Sequence, residues 1–277
     1  MRFPAVAGTF YPGDRESLEG ELRDLFGAPP DELVPGRAES RGPLGLILPH
    51  AGYVYSGGVA AAGYRAAARY GRPEAVVILG TNHTGYGGPV TVGDPEPWVT
   101  PLGEVPVAEG LLREVEKLPG AVRDRRAFLR EHSVEVQLPF LQYLFGGVPF
   151  VPAVVLAHDP GIIEKFGAGL AEIVGGRGIW IIASSDFTHY EPHHVAVEKD
   201  KAALERILAL DLPGFLREVE ARGISICGVG AVGIVMACAR ALGLTEAELV
   251  SYRTSGEVSG YTAEVVGYAA VLFRGRG

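Results

Sequence analysis

Residues 75–85 read AVVILGTNHTG: five apolar positions, then Gly80, the polar pair Thr81–Asn82, and His83. A short unbroken run of Ala, Val, Ile and Leu is the pattern of a strand buried on both faces, as in a parallel sheet covered by helices on either side. The setting recurs. LGLILPHAG (44–52) runs out at His50, and IWIIASSDFTHY (179–190) runs out at His189. The chain has seven histidines, so three placed just beyond strand-like runs ask for a common cause. Working outward, PFVPAVVL (149–156) is a further buried run. Helical patterns near 57–70, 107–118, 133–145, 160–174, 195–209, 212–221 and 228–242 separate the runs. LVSYRT (249–254) and AEVVGYAAVLF (263–273) close the chain as an antiparallel pair around SGEVSG. Segment 85–107 is rich in Gly and Pro and is expected to be loop with short strands, and 27–43 to be a surface loop. The reading is one domain over 1–277: a three-layer α/β/α sandwich around a mostly parallel, mixed sheet. In such sheets ligands gather at the carboxyl ends of the strands.

Composition narrows the classes. A net charge of −8 and the lack of any Lys/Arg run argue against nucleic acid. The N-terminus MRFPAVAGTFYPGD lacks the apolar core of a signal peptide. The longest apolar stretch, GVGAVGIVMACARALG, falls short of the ~20 residues that cross a bilayer. A cytoplasmic protein without membrane contact is expected. There is one Asn (Asn82) and there are two Gln and two Met, which fits a thermophile's avoidance of labile residues. The retained Asn stands beside His83. Cys227 and Cys238, eleven apart around one helix, are not placed to pair.

Each candidate has an ordinary structural explanation beside its functional one. His50 and His83 sit in Gly-rich turns that suit either a pocket or an ordered surface loop. Asp186 and His189 are three apart, a spacing that on a helical turn sets a carboxylate against an imidazole. Asp186 is equally placed to cap a helix. Glu131–His132 opens the amphipathic stretch HSVEVQLPFLQYL. His158 reads as loop, and His193–His194 as a solvated helix start. Cys227 precedes a helix whose dipole favours a thiolate, whereas Cys238 reads as core. Two His and one Cys form a plausible set for Zn, Fe or Cu with open positions. No HExxH, CxxC or GxSxG motif occurs, and GVGAVG (228–233) lacks a preceding strand and a partner acid.

Seven segments in order, VAGTFYP, LPHAGYVYSGGVAA, ILGTNHTGYG, EHSVEVQLPFLQ, SSDFTHY, ICGVGA and SYRTSGEVSGYTAEVVGYAA, resemble the Memo family, also called AmmeMemoRadiSam system protein B. That family is similar in fold to the LigB-type class III extradiol dioxygenases, which hold Fe(II) with two His and one Glu. The resemblance implies His50, His83 and Cys227 as metal ligands, with Cys227 where the dioxygenases have a carboxylate. It implies His189 as acid/base with Asp186 beside it, and His132 lining the same pocket, where Asn82 and Tyr55 are expected as well. A thiolate in place of a carboxylate favours softer metals. Those softer metals are Cu(I) and Zn, while the resemblance implies iron or copper as the cofactor, with zinc as the alternative. Three functions follow: a redox enzyme on a small substrate, a peptide- or protein-binding module with a remnant site, or a zinc hydrolase. The family's name further implies a radical SAM protein and an AMMECR-domain protein as partners.

Overall fold

The computed structural model describes residues 1–35 and 42–275. Eleven strands are found among them. The four central ones are β1 (Leu44–Leu48), β2 (Ala75–Thr81), β7 (Phe150–Val155) and β8 (Ile179–Ser184). Every residue of these four strands is buried, as a strand sandwiched between two helical layers requires. They lie in the order β1–β8–β2–β7, all parallel. The short strands β3 (Val90–Val92), β4 (Trp98–Thr100), β5 (Gly103–Val105) and β6 (Ala121–Arg123) come from the Gly/Pro-rich region. β3 and β6 extend the sheet beyond β7, while β4 and β5 form a separate ribbon. β9 (His189–Glu191), β10 (Glu246–Thr254) and β11 (Val265–Arg274) complete the other flank, with β11 antiparallel to β1, β9 and β10. The closing antiparallel pair is as expected. The reversal at the opposite flank, β3 against β7, has no counterpart in the sequence reading.

One face is covered by α1 (Arg15–Phe26), α3 (Tyr53–Ala68) and α5 (Leu138–Phe145), with the short α2 (Pro30–Leu33) beside α5. The other carries α6 (Pro160–Val174), α7 (His193–Leu208), α8 (Leu212–Arg222) and α9 (Val229–Ala241), with α4 (Glu109–Val115) against α6 and β7. A single-turn α10 (Ser255–Ser259) links β10 to β11. Segment 27–43 is thus not all loop: α2 buries Leu33, and residues 36–41 lie outside the described residues. No described helix is long and apolar enough to cross a membrane.

The N-terminal strap, residues 1–11, reaches the site through one buried carboxylate. Glu135 is fully buried and accepts hydrogen bonds from Arg2 (2.7 Å), the Ala5 and Val6 amides (2.8 and 3.0 Å) and the Tyr11 hydroxyl (2.7 Å). Arg2 also donates to the carbonyls of Phe128 and Glu131 and stacks 3.9 Å over the Trp98 ring. The carbonyl of Phe10 then accepts from the Tyr53 amide at the start of α3. Removing one partner of a buried ion pair strands the other's charge. Glu135→Ala is therefore expected to destabilise the fold by about 3–5 kcal/mol in denaturant unfolding. A loss below about 1 kcal/mol would show that the strap is held by other contacts.

Candidate metal centre

Strands β1, β8 and β2 are neighbours, and their registers pair Leu48 with Ser184 and Ala183 with Leu79. The three strands therefore end at one level, and their exits deliver His50, Asp186 and His83 to the same rim. Cys227 arrives from the other direction, on the turn before α9. Its amide donates to the Asp186 carbonyl, and the next amide, of Gly228, donates 2.9 Å to Ser185 Oγ. A Cβ at Gly228 would fall 2.5 Å from that of Ser185, so only glycine lets the turn close on the strand end. Gly80 does the same for β2, where a Cβ would meet Ser133 Oγ at 2.3 Å.

The convergence is tight. Ligand atoms of His50, His83 and Cys227 lie within 4.8 Å of one another. His50 Nε2 is 3.4 Å from Cys227 Sγ. Two ligands bound at 2.0–2.3 Å to one cation at a tetrahedral angle are about 3.5 Å apart, so this donor pair already has the separation a metal would impose. Cys227 Sγ also accepts from the Asp186 amide (3.2 Å) and the Thr81 hydroxyl (3.5 Å). His50 is buried, while His83 is the exposed member and opens the site to solvent.

The hydrogen bonds fix which ring nitrogen faces inward. Ser184 Oγ has one proton, donated to the Ser133 carbonyl at 2.6 Å, and it accepts from Gln137 Nε2 at 2.8 Å. Its remaining lone pair faces His50 Nδ1 at 3.2 Å, so that nitrogen carries a proton and donates. Gln137 is held in turn by the Tyr64 hydroxyl and the Pro49 carbonyl. On the other ligand, His83 Nδ1 donates 2.9 Å to the carboxylate of Glu131. Both rings thus present Nε2 to the centre, the arrangement that outer partners of metal-binding histidines impose.

Charge follows geometry. Burial works against the Cys227 thiolate, but the positive His50 and hydrogen bonds from His50 and His83 outweigh it and draw the thiol down to about 5. Burial likewise opposes charge on His50, yet Cys227 and Asp186 push it up to about 9. For His83, burial is overcome by its bonds to Cys227 and Glu131, which raise it to about 10. Glu131, despite burial, is lowered to about 2 by the His83 hydrogen bond and charge. His132 goes the other way. Burial and the charge of His50 lower it to about 4, leaving a neutral ring.

The remaining candidates separate. His132 stacks on His83 (centroids 4.7 Å apart, 11° between planes), lies edge-on to His50 at 5.4 Å, and packs against Phe10. Asp186 accepts from the His50 amide at 2.8 Å, and its other oxygen is 3.9 Å from His50 Nε2. His189 is not on a helical turn with Asp186. It begins β9, and its amide and Nδ1 both bond to Ser225, at 2.8 Å each. Neither does Asp186 cap a helix, because residues 185–188 belong to no helix and lead into β9. Asn82 spends its side chain on its own turn, with Oδ1 accepting from Thr84 and Gly85 and Nδ2 donating to the Tyr86 carbonyl. Tyr55 stands 45% exposed in the first turn of α3, with no hydrogen bond or ring contact to the three ligands among the described residues. His193 donates to or accepts from Thr254 Oγ1, His194 and His158 are exposed, and Cys238 is a free, buried thiol. Sequence reasoning passed over Gln137, Ser184 and Phe10, and took Glu131 only as a charged neighbour of His132. An acid set directly before a histidine in a stretch turning apolar was the available signal for Glu131.

The metal-free protein should therefore react with iodoacetamide at Cys227 with a midpoint near pH 5, against about 8.5 for a free thiol. Reactivity should fall only as pH drops through that midpoint. Cys238, pushed up to about 12 by burial, should stay silent. A midpoint near 8.5 would contradict the charge arrangement.

Known proteins are similar to this chain along nearly its whole length. The family profile described as Memo-like protein matches residues 2–272. Among curated relatives, a MEMO1 family protein of Pyrobaculum arsenaticum is 44% identical and one of Methanopyrus kandleri is also 44% identical, each match covering 99% of both chains. A MEMO1 family protein of Thermotoga maritima is 43% identical over 98% of this chain and 99% of its own. These organisms are thermophiles, in keeping with the scarcity of Asn and Gln. In fold alone, the chain is similar to an uncharacterised protein of Escherichia coli K12, with a TM-score of 0.55 at 15% identity over 83% of this chain and 98% of that one. With the profile and the relatives both matching from end to end, the chain belongs to the family of Memo-like proteins.

Proposed function

We propose that the chain is a cytoplasmic metalloprotein that holds iron or copper on His50, His83 and Cys227 and uses it in redox chemistry on a small substrate. The observation that carries this reading is the convergence of one ring nitrogen from each of His50 and His83 and the Cys227 sulfur within 4.8 Å, with His50 Nε2 and Cys227 Sγ 3.4 Å apart. A donor set of two imidazoles and one thiolate suits iron, copper or zinc, and three protein ligands leave positions open for a substrate. Bound there, iron or copper would supply one-electron chemistry that no side chain of the site can. The protons now shared between Nε2 and Sγ are those a cation displaces, so uptake should weaken as pH falls. A reducing compartment would keep Cys227 from being oxidised.

Around the centre the chain's own groups have separate tasks. We assign proton transfer to Asp186, whose carboxylate lies against His50, and to His189. Because His189 Nδ1 faces the Ser225 carbonyl, its Nε2 is the basic nitrogen. His132, neutral and stacked, forms a wall that does not compete for charge. Asn82 shapes the turn that carries His83. The radical SAM and AMMECR-domain proteins implied by the family's name are the partners we would seek.

A second reading, a module that docks a peptide or protein, is favoured by the exposed aromatics that follow the strand-end histidines His50, His83 and His189: Tyr55 (45%), Tyr86 (51%) and Tyr190 (75%). Tyr190 adopts φ of 57°, a left-handed conformation rare for a non-glycine and frequent at functional sites. Anaerobic purification and reconstitution separates the readings. Roughly one equivalent of iron or copper per chain is expected, lost in His50→Ala and in Cys227→Ala. Full retention of metal in both variants overturns the assignment. Zinc alone, with ester or amide turnover and no redox activity, selects the zinc hydrolase. Capture of a partner that survives both substitutions selects docking.

A further inference from the structure

Three imidazoles crowd this site: His50 and His83 converge with Cys227, and ligand atoms of His83, Glu131 and His132 also lie within 4.8 Å of one another. We propose that Glu131 is the positioning residue that makes His83, rather than its stacked neighbour His132, the second imidazole ligand, and that fixes Nε2 as its binding atom. The inference rests on the metal-centre reading and concerns a residue outside the donor set.

The geometry discriminates between the two rings. Glu131 is fully buried, and its Oε1 accepts His83 Nδ1–H at 2.9 Å, whereas His132 Nδ1 is 3.8 Å away, beyond hydrogen-bond reach. The carboxylate is itself held still. Oε1 also accepts from the His132 and Ser133 amides (2.9 Å each), and Oε2 accepts from the His83 amide at 2.8 Å. One group therefore fixes the backbone and the ring of His83 together, but only the backbone of His132. An ionised carboxylate has no proton to give, so the shared hydrogen sits on His83 Nδ1 and the lone pair falls on Nε2. The two ligands are supported differently: His83 by a charge, His50 by the neutral Ser184–Gln137–Tyr64 chain. A carboxylate behind an imidazole raises its basicity as a ligand, so His83 is the stronger of the two nitrogen donors.

Glu131→Gln tests this. The amide places an N–H group among backbone donors at Oε1 or Oε2, so it can no longer satisfy all four. Protein labelled with nitrogen-15 histidine and loaded with cadmium-113 reports which ring nitrogens couple to the metal. The wild type should show Nε2 coupling from His50 and His83 and none from His132. In Glu131→Gln the His83 coupling should vanish, move to Nδ1 or pass to His132, and cadmium affinity should fall about 10–100-fold, while His50 coupling persists. Cadmium bound by the wild type through His83 Nδ1 or through His132 overturns the proposal without any variant. So does a Glu131→Gln protein with unchanged Nε2 coupling and affinity within about twofold of wild type. Failure of the wild type to bind cadmium at all overturns the metal-centre reading itself, and this inference with it.

Discussion

Everything at this centre depends on three parallel strands stopping at the same height. The pairing of β1, β8 and β2 aligns Leu48, Ser184 and the last residues of β2, so that one step beyond each the chain must turn at a common rim. Packing on both faces holds that register, because a slip of one residue would exchange the side chains set against the two helical layers. The site is therefore built at the ends of fully buried strands. Cys227 is the one candidate donor from outside the sheet, and it reaches the rim because Gly228 leaves no Cβ to keep α9 away.

Charge is the second organising element. A buried thiolate is costly unless cations and donors surround it, and here two imidazoles, an amide and a hydroxyl do so. The neighbouring turn carries two fully buried carboxylates four residues apart with different tasks. Glu131 holds His83 and the backbone around it, while Glu135 ties down the N-terminal strap. Through Phe10, which packs on His132, the strap reaches the wall of the site. Stability and site geometry are thus joined in one stretch, residues 131–137.

Much of this was legible in the sequence. AVVILG, LGLILP and IWIIAS are apolar without alternation because both faces are covered, and that pattern gave their positions nearly to the residue. Helix 160–174 was plain because Asp159 caps it and Pro160 starts it. Strand ends then directed attention to His50 and His83. Cys227 was not selectable by spacing, since its contact with His50 spans 177 positions; the family resemblance supplied it. The three-residue spacing of Asp186 and His189 misled because it assumed a helical turn, and the chain there passes from β8 to β9 without one. The single Asn pointed to the right turn for a different reason: Asn82 builds the turn with its own side chain. The support by Glu131, Gln137 and Ser184 is tertiary hydrogen bonding, which leaves no period in a sequence.

The most direct test is the donor set itself, read by X-ray absorption at the metal edge of protein loaded with zinc as a redox-silent probe. The account predicts one sulfur at about 2.3 Å with imidazole nitrogens at about 2.0–2.1 Å, and loss of the sulfur shell in Cys227→Ser. A spectrum with only oxygen and nitrogen neighbours in the native protein would contradict it.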